Sequence, residues 1–379
     1  MTGEKRVVFY ARSAVGLGRL QRILILAAAL RQRRPDVAAF VATGSAFAHW
    51  LPWPDGVDFV KLPSLEWSGD DAIGARAAAL PVETVRALAR DILAVTVEHL
   101  RPRVFVADAF PLEPDIVPIL RRLRETRSAH TVLGLRDIVG EPALLRRTWG
   151  PDGVYQALDE LYDRILVYGD RSVHDIVRES GMSATAGAKA TYLGYVSRLP
   201  AGAPPPVRRR ILVTVGAGRD GFLLLDAAAT ALRSVPDGLG HEWVLVTGPL
   251  MPAAERKRLA AEAPKGVGVV EFIPDLATEI ASAAAVVAMG GYNTVTETLV
   301  ARRPALIVPR AARRGEQLVR AQALAERGLV RMLHPDQLTP QRLLSEVRSL
   351  LEKPPLGASL PRLDGAKAFV DEILPLVDG

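Results

Sequence analysis

The chain has 379 residues, 49% of them hydrophobic and 24% charged, a folded composition with room for two domains of roughly 150 residues each. It has no cysteine, which excludes a disulfide scaffold, a thiol nucleophile, thiolate zinc sites and iron–sulfur clusters. The net charge is +6, and only seven of the 48 basic residues are lysine. That arginine excess, set among abundant alanine, reads first as composition and second as a basic face for phosphates or a membrane surface.

The N-terminus runs straight into a strand-like segment with no apolar signal core. The longest apolar runs, such as 23–30, fall short of the roughly 20 residues of a membrane helix. The expectation is a cytoplasmic protein, at most peripheral on a membrane.

In chain order, strands are predicted at 6–10, 38–43, 57–62, 104–107, 131–135 and 165–168. Val, Ile and Phe dominate them with little polar alternation, the pattern of parallel strands covered on both faces. Helices are predicted between them at 20–33, 82–100, 116–125 and 172–180, a βαβ rhythm. The run 197–210, Ser-Arg-Leu-Pro-Ala-Gly-Ala-Pro-Pro-Pro-Val-Arg-Arg-Arg, can continue neither a helix nor a central strand. It sets a boundary near Ala203. The rhythm restarts with strands at 211–215, 243–247, 267–272, 286–289 and 305–309 and a helix at 222–234. The division is therefore 1–202, 203–363 and a terminal helix in 364–379.

Each half carries a glycine-rich turn after its first strand. The first holds Gly16 and Gly18, the second Gly216, Gly218 and Gly221. Glycine lets such a turn tighten and approach a ligand, and the following helix N-terminus favours an anion. The second loop matches G-x-G-x-x-G, but the next strand ends Val246-Thr247-Gly248 with no acid to bind a ribose, and Glu242 stands at its start. A nicotinamide dehydrogenase is thereby disfavoured. Ligand-free βα turns remain the alternative for either loop.

The densest cluster is 285–317. A strand ends at Met289, Gly290 and Gly291 turn the chain, and a helix is predicted from Thr294 to Ala301 with Asn293 or Thr294 as cap. Thr294 and Glu297 also fit a capping box, which would give Glu297 a purely structural role. After the next strand come Arg310, Arg313, Arg314, Glu316 and Gln317. Two polar loops beyond strand carboxyl ends describe a small-molecule site.

Gly-Gly-Tyr-Asn-Thr-Val-Thr-Glu, then Pro-Ala-Leu-Ile-Val-Pro-Arg and Glu-Gln, resembles the donor-binding half of GT-B glycosyltransferases, glycosyltransferase family 28 in particular. Tyr10–Gly18 and Leu135-Arg136-Asp137-Ile138 are similar to a related bacterial group of predicted glycosyltransferases. The resemblance spans both halves and is most specific over 272–333. It implies two Rossmann-like domains whose parallel sheets face across a cleft. The first would bind the acceptor and the second a UDP-sugar such as UDP-N-acetylglucosamine, with the terminal helix packing back on the first. Glu297 would accept hydrogen bonds from both ribose hydroxyls, and Phe272 and Ile273 would lie against the uracil. Gly290, Gly291, Tyr292, Asn293 and Thr294 would adjoin the diphosphate, with Gly16, Gly18, Gly216, Gly218, Arg219 and Arg310 beside it. Glu316 and Gln317 would hold the donor sugar. Transfer would invert the anomeric centre without metal or cofactor, onto a small-molecule or lipid-linked hydroxyl.

The chain departs from this pattern at one position. Members carry His after Gly-Leu-Gly; this chain has Arg19, which stays protonated and cannot serve as a base. Asp137 and Asp108, both after predicted strands, are the candidate bases, each with a structural alternative as a turn or cap residue. Arg19 would instead meet a diphosphate or an anionic acceptor.

No D-x-D pair, H-E-x-x-H, G-x-S-x-G or Walker-type loop is present. The six histidines are scattered and read as surface or core. Nucleic acid is not an expected partner, since no aromatic–basic module accompanies the charge. Trp50, Trp53, Trp67 and Trp149, on predicted loops of the first half, would either stack on an acceptor or anchor those loops. An epimerase or hydrolase acting on sugar nucleotides, and a non-catalytic nucleotide-sugar-binding partner protein, stay open as alternatives.

Overall fold

A computed structural model describes residues 5–12, 17–68, 72–77, 79–198, 205–310, 315–355 and 359–379. The chain divides into two compact units, Met1–Val196 with Asp364–Gly379 and Ser197–Leu363. Ala203, Gly16, Arg313 and Arg314 lie outside the described residues. Among the described residues no helix is long and apolar enough to cross a membrane.

The first unit runs β1 (Arg6–Ala11), α1 (Gly18–Arg33), β2 (Ala38–Thr43), β3 (Val57–Lys61), β4 (Leu65–Ser68), β5 (Ala72–Ala75), α2 (Val82–Leu100) and β6 (Val104–Asp108). It continues with α3 (Val117–Glu125), β7 (His130–Arg136), α4 (Pro142–Trp149), α5 (Val154–Glu160), β8 (Arg164–Tyr168), α6 (Ile176–Ser180), α7 (Ala184–Ala188) and β9 (Ala190–Tyr192). Seven strands form one parallel sheet in the order β3-β2-β1-β6-β7-β8-β9. β4 and β5 make a separate antiparallel pair that the sequence pattern did not signal.

The sheet is parallel because its strands can be buried on both faces. Val7 to Tyr10 of β1 and all five residues of β6 are buried. In α1, Leu20, Ile23, Leu24, Ala27 and Leu30 recur at helical spacing and are buried, giving the cover that such strands need. Strand order reverses between β1 and β6, so the loops after these two strands leave in opposite directions and open a crevice at the carboxyl edge.

The second unit holds β10 (Arg210–Thr214), α8 (Phe222–Arg233), β11 (Glu242–Val246), α9 (Ala253–Glu262), β12 (Val267–Val270), α10 (Leu276–Ser282) and β13 (Ala285–Ala288). It ends with α11 (Tyr292–Ala301), β14 (Ala305–Ile307), α12 (Glu316–Ala325), β15 (Arg331–Met332) and α13 (Pro340–Glu352). Its six-stranded parallel sheet has the order β12-β11-β10-β13-β14-β15. Here the reversal falls between β10 and β13, the two strands followed by the Gly216 and Gly290 turns.

The last helix, α14 (Gly365–Asp378), belongs to the first unit. Phe369 packs against Phe9 at 6.0 Å between ring centroids, and Asp378 receives Lys5 and Arg34. A Cβ at Gly365 would stand 2.6 Å from the Gly194 carbonyl oxygen, so only glycine lets the helix start this close to that backbone.

Among the predicted helices that begin away from the expected residue, two show a local reason in their caps. The helix expected from residue 172 starts at Ile176, because Asp175 caps it by accepting from the Arg178 N–H. The helix expected from Thr294 starts at Tyr292, with Gly291 at its cap position and no side-chain cap. Thr294 and Glu297 are therefore both inside the helix and form no capping box.

Candidate functional site

In the second unit the switch point is built of backbone. Gly216 and Gly218 have φ of +65° and +96°, conformations that disfavour L side chains. A Cβ at Gly218 would overlap the Thr247 carbonyl oxygen, while one at Gly216 would meet nothing within 4 Å. The first glycine thus faces open space and the second lets the loops after β10 and β11 touch. Gly290 (φ +83°) fits under Ile307 and Gln317, and Gly291 again faces open space. The cap residue of α11, Gly291, has no side chain to cap the first turn, and the positive end of the helix dipole there favours an anion.

Arg310 and Gln317 tie the neighbouring loop in place. The Gln317 Oε1 accepts from the Arg310 N–H at 3.0 Å, and the Arg310 guanidinium pairs with Asp220 in the loop after β10. Glu316 opens α12, and Arg219 is half-buried in the Gly218 turn. Arg320, one turn into α12, was not legible as a site residue. It is 0% exposed, donates to the Gly290 carbonyl at 3.3 Å and lies 5.7 Å from the Tyr292 ring centroid. It holds the Gly290–Tyr292 turn from beneath. Its signal in the sequence was only a helical spacing from Glu316 and Gln317.

Glu297 sits on the second turn of α11 and is 5% exposed. Its Oε1 is 3.2 Å from the Arg198 Nη2 and 3.3 Å from Nε. Burial raises the carboxyl to about 7; Arg198 opposes that rise, and Asp275 adds to it. Arg198 also donates to the Pro274 carbonyl at 3.4 Å, so it bridges the carboxylate to the loop carrying Phe272 and Ile273. That loop begins after Val270, two residues before the predicted strand end, and leaves both side chains half-buried. Sequence reading gave Arg198 to the linker and missed this pair. Asn293 lies on the first turn of α11, where its carbonyl accepts from the Thr296 hydroxyl at 2.9 Å.

In the first unit the corresponding edge is a cluster of buried charge. Arg22, on the second turn of α1, makes two 2.7 Å hydrogen bonds to the two carboxylate oxygens of Asp108. Both side chains are almost fully buried, and the guanidinium also stands 5.3 Å from the Tyr168 ring centroid. The Tyr168 phenol fits here because Gly134 of β7, two residues before Tyr168's register partner Arg136, has no Cβ, which would overlap it. Asp137 is 0% exposed; its Oδ1 accepts from the Ile138 N–H at 2.8 Å and its Oδ2 from the Tyr195 hydroxyl at 3.1 Å.

Neither candidate base stands open to solvent. Both carboxylates lie inside the unit, and Asp108 is committed to a guanidinium. Arg19, next to Gly18 at the start of α1, donates to the Arg12 carbonyl at 3.2 Å. Burial and the nearby Arg136 lower it to about 10, which still leaves it protonated at neutral pH.

The tryptophans are engaged as anchors. Trp149 is 1% exposed, Trp53 stacks on Phe59 at 3.9 Å between centroids, and Trp50 packs edge-on against Phe47. The Trp67 side chain lies outside the described residues.

Residues 210–368 match the glycosyltransferase family 28 C-terminal domain. The chain is 31% identical over 157 residues to the UDP-N-acetylglucosamine--N-acetylmuramyl-(pentapeptide) pyrophosphoryl-undecaprenol N-acetylglucosamine transferase of Corynebacterium efficiens, covering 41% of each chain. The transferase of the same name from Saccharopolyspora erythraea is 34% identical over 124 residues, 32% of each chain. The chain thus spans about two-fifths or less of these relatives' length. Among solved structures, the spinosyn forosaminyltransferase SpnP superposes with a TM-score of 0.65 at 18% identity over 100% of both chains. The glycosyltransferase SnogD from Streptomyces nogalater gives 0.58 at 22% identity, covering 99% of this chain and 95% of that one. Acinetobacter baumannii MurG gives 0.57 at 15%, covering 98% and 99%. The fold is the α/β GT-B fold of these glycosyltransferases, with two parallel-sheet units.

Two outcomes are expected. Breaking the buried pair by Asp108→Ala or Arg22→Ala should cost about 3–5 kcal/mol of unfolding free energy. The double variant Arg22→Met/Asp108→Leu should cost much less than the sum. Additive losses in urea unfolding would contradict the pairing. For Glu297 the folded-state value lies above the unfolded one near 4.5. Its stabilising contribution is therefore full below about pH 4.5 and is lost as pH rises through about 7. Glu297→Gln should remove that part of the stability–pH slope, and an unchanged slope would contradict the assignment.

Proposed function

With residues 210–368 matching glycosyltransferase family 28, we propose that the protein is a nucleotide-sugar-dependent glycosyltransferase whose second unit binds a UDP-sugar. The observation that carries the reading is the buried Glu297 carboxylate on α11, behind a helix N-terminus at the switch point of the sheet. A diphosphate fits the N-terminus and a ribose diol fits the carboxylate; a nucleoside diphosphate supplies both groups from one molecule. Phe272 and Ile273 lie on the loop that Arg198 joins to Glu297, a suitable rest for the uracil. The names of the curated relatives point to N-acetylglucosamine as the donor sugar, with Glu316 and Gln317 at its hydroxyls.

The acceptor is a hydroxyl of a small molecule or of a lipid-linked sugar, bound by the first unit. Its oxygen forms a bond to the anomeric carbon, and the bond from that carbon to the diphosphate breaks with inversion, the electron pair leaving on UDP. The N-terminus of α11, with Arg310 and Arg219, meets the charge of the departing diphosphate without a metal ion or other cofactor. Arg19 meets an anionic group of the donor or acceptor. Asp108 has both oxygens committed to Arg22. The proton from the acceptor is therefore assigned to Asp137, which requires the Tyr195 hydroxyl to release Oδ2.

One observation favours a rival. Arg19, protonated where histidine is common, suits a nucleotide-sugar-binding partner without turnover. UDP released from the donor only when acceptor is present decides against that rival.

A thermal-shift screen of UDP, TDP and GDP checks the donor side. UDP is expected to raise the melting temperature most, and Glu297→Ala should abolish the rise. No shift with any nucleotide would overturn the reading. EDTA should leave both the shift and the transfer rate unchanged.

A further inference from the structure

The ion pair between Arg310 and Asp220 joins two loops that the sheet keeps apart. Asp220 follows β10 and Arg310 follows β14, and β13 lies between those strands. Adjacent strands stand about 4.8 Å apart, so the two loops leave the sheet roughly 10 Å from one another. A contact between them has to cross the carboxyl end of β13. That is where Gly290 and Gly291 turn the chain into α11, and where a Cβ on Gly291, or on Gly216 in the β10 loop, would meet nothing within 4 Å.

Both backbones are held at this crossing. The Arg310 N–H donates to the Gln317 Oε1 at 3.0 Å. Asp220 sits in a closed turn, in which the Gly221 N–H donates to the Gly218 carbonyl at 3.1 Å. A Cβ on Gly221 would stand 2.4 Å from the Val215 side chain, so that turn is packed tightly. The pair can therefore open by side-chain rotation alone, with neither loop displaced.

The pair is also built to exchange. Arg22 and Asp108 are almost fully buried and joined by two hydrogen bonds, whereas Arg310 and Asp220 share one among the described residues, Nη1 to Oδ2 at 2.5 Å. Their side chains are 25% and 28% exposed. Pairs this open to water favour the joined state by about fivefold at most. A diphosphate offers the guanidinium several charged oxygens in place of one carboxylate, in the forked geometry that arginine prefers. A ligand that needs the guanidinium released binds more weakly by the factor that favours the pair.

We propose that Asp220 is a positioning residue for the donor's diphosphate: its carboxylate clasps Arg310 across the end of β13 and competes with the diphosphate for the guanidinium. The assignment rests on the reading of the second unit as a nucleotide-sugar site. It gives Asp220, which touches no ligand, control over how tightly the leaving group is held, and it spends none of the contacts to uracil or ribose.

The test is isothermal titration calorimetry of UDP, uridine and inorganic pyrophosphate against the full chain. Asp220→Asn should bind UDP and pyrophosphate about fivefold tighter and uridine unchanged. Asp220→Ser, too short to reach Arg310, should do the same. Arg310→Gln should weaken UDP and leave uridine unchanged, and adding Asp220→Asn to it should then restore about twofold or less. A merely structural brace predicts the opposite: both Asp220 variants would weaken UDP and uridine alike. That result, an unchanged UDP affinity, or a full fivefold gain persisting beside Arg310→Gln would each overturn the proposal. Pyrophosphate separates the two readings. The expected pattern with pyrophosphate but no binding of UDP above it keeps the clasp and removes the nucleotide site. UDP binding indifferent to Asp220 keeps the nucleotide site and removes the clasp, and binding of neither ligand removes both.

Discussion

A parallel sheet covered on both faces has nowhere to place polar chemistry except its carboxyl edge. In both units the strands are buried among helices, so every hydrogen-bonding group that could serve a ligand is delivered by loops leaving that edge. Where strand order reverses, two such loops part and leave a crevice. In the second unit the parting loops are the glycine turns after β10 and β13, and the glycines are there because side chains would collide with neighbouring backbone or occupy the crevice. In the first unit the same edge carries Arg22–Asp108 and Arg19.

Burying charge at these edges constrains which residues can pair. Glu297 is enclosed by α11 and would be strongly disfavoured as an anion without Arg198 beside it. Arg198 also reaches the Pro274 carbonyl, so one side chain sets both the ionisation of the carboxylate and the position of the loop after β12. Arg320 plays the matching part beneath Gly290. Neither arginine needs to touch a ligand to matter, because each fixes a group that would.

The strands were legible because their apolar runs are unbroken, and β2 matches its predicted range residue for residue. The glycine turns were legible because a left-handed backbone leaves a mark in composition. Pairings across long sequence distances were not legible. Nothing local connects Arg22 with Asp108, or Arg198 with Glu297, since each pair is made by the packing of elements 86 and 99 residues apart. The helix start at Tyr292 was misplaced for the opposite reason. Local cap preferences favoured Asn293 or Thr294, but the chain turns into the helix at Gly291, which has no side chain to cap it. Strand-end positions mark Asp108 and Asp137 as candidate bases but do not reveal that both side chains are buried.

The central claim is that Glu297 receives the ribose diol of a nucleotide. Isothermal titration calorimetry of UDP and 2′-deoxy-UDP against the wild type and Glu297→Ala tests it as a double-mutant cycle. Removing the hydroxyl should weaken binding to the wild type by about 1.5–3 kcal/mol, the range for a hydrogen bond to a charged group. The same change should cost almost nothing in the variant. Equal losses in both proteins would show that the hydroxyl does not meet this carboxylate and would contradict the account.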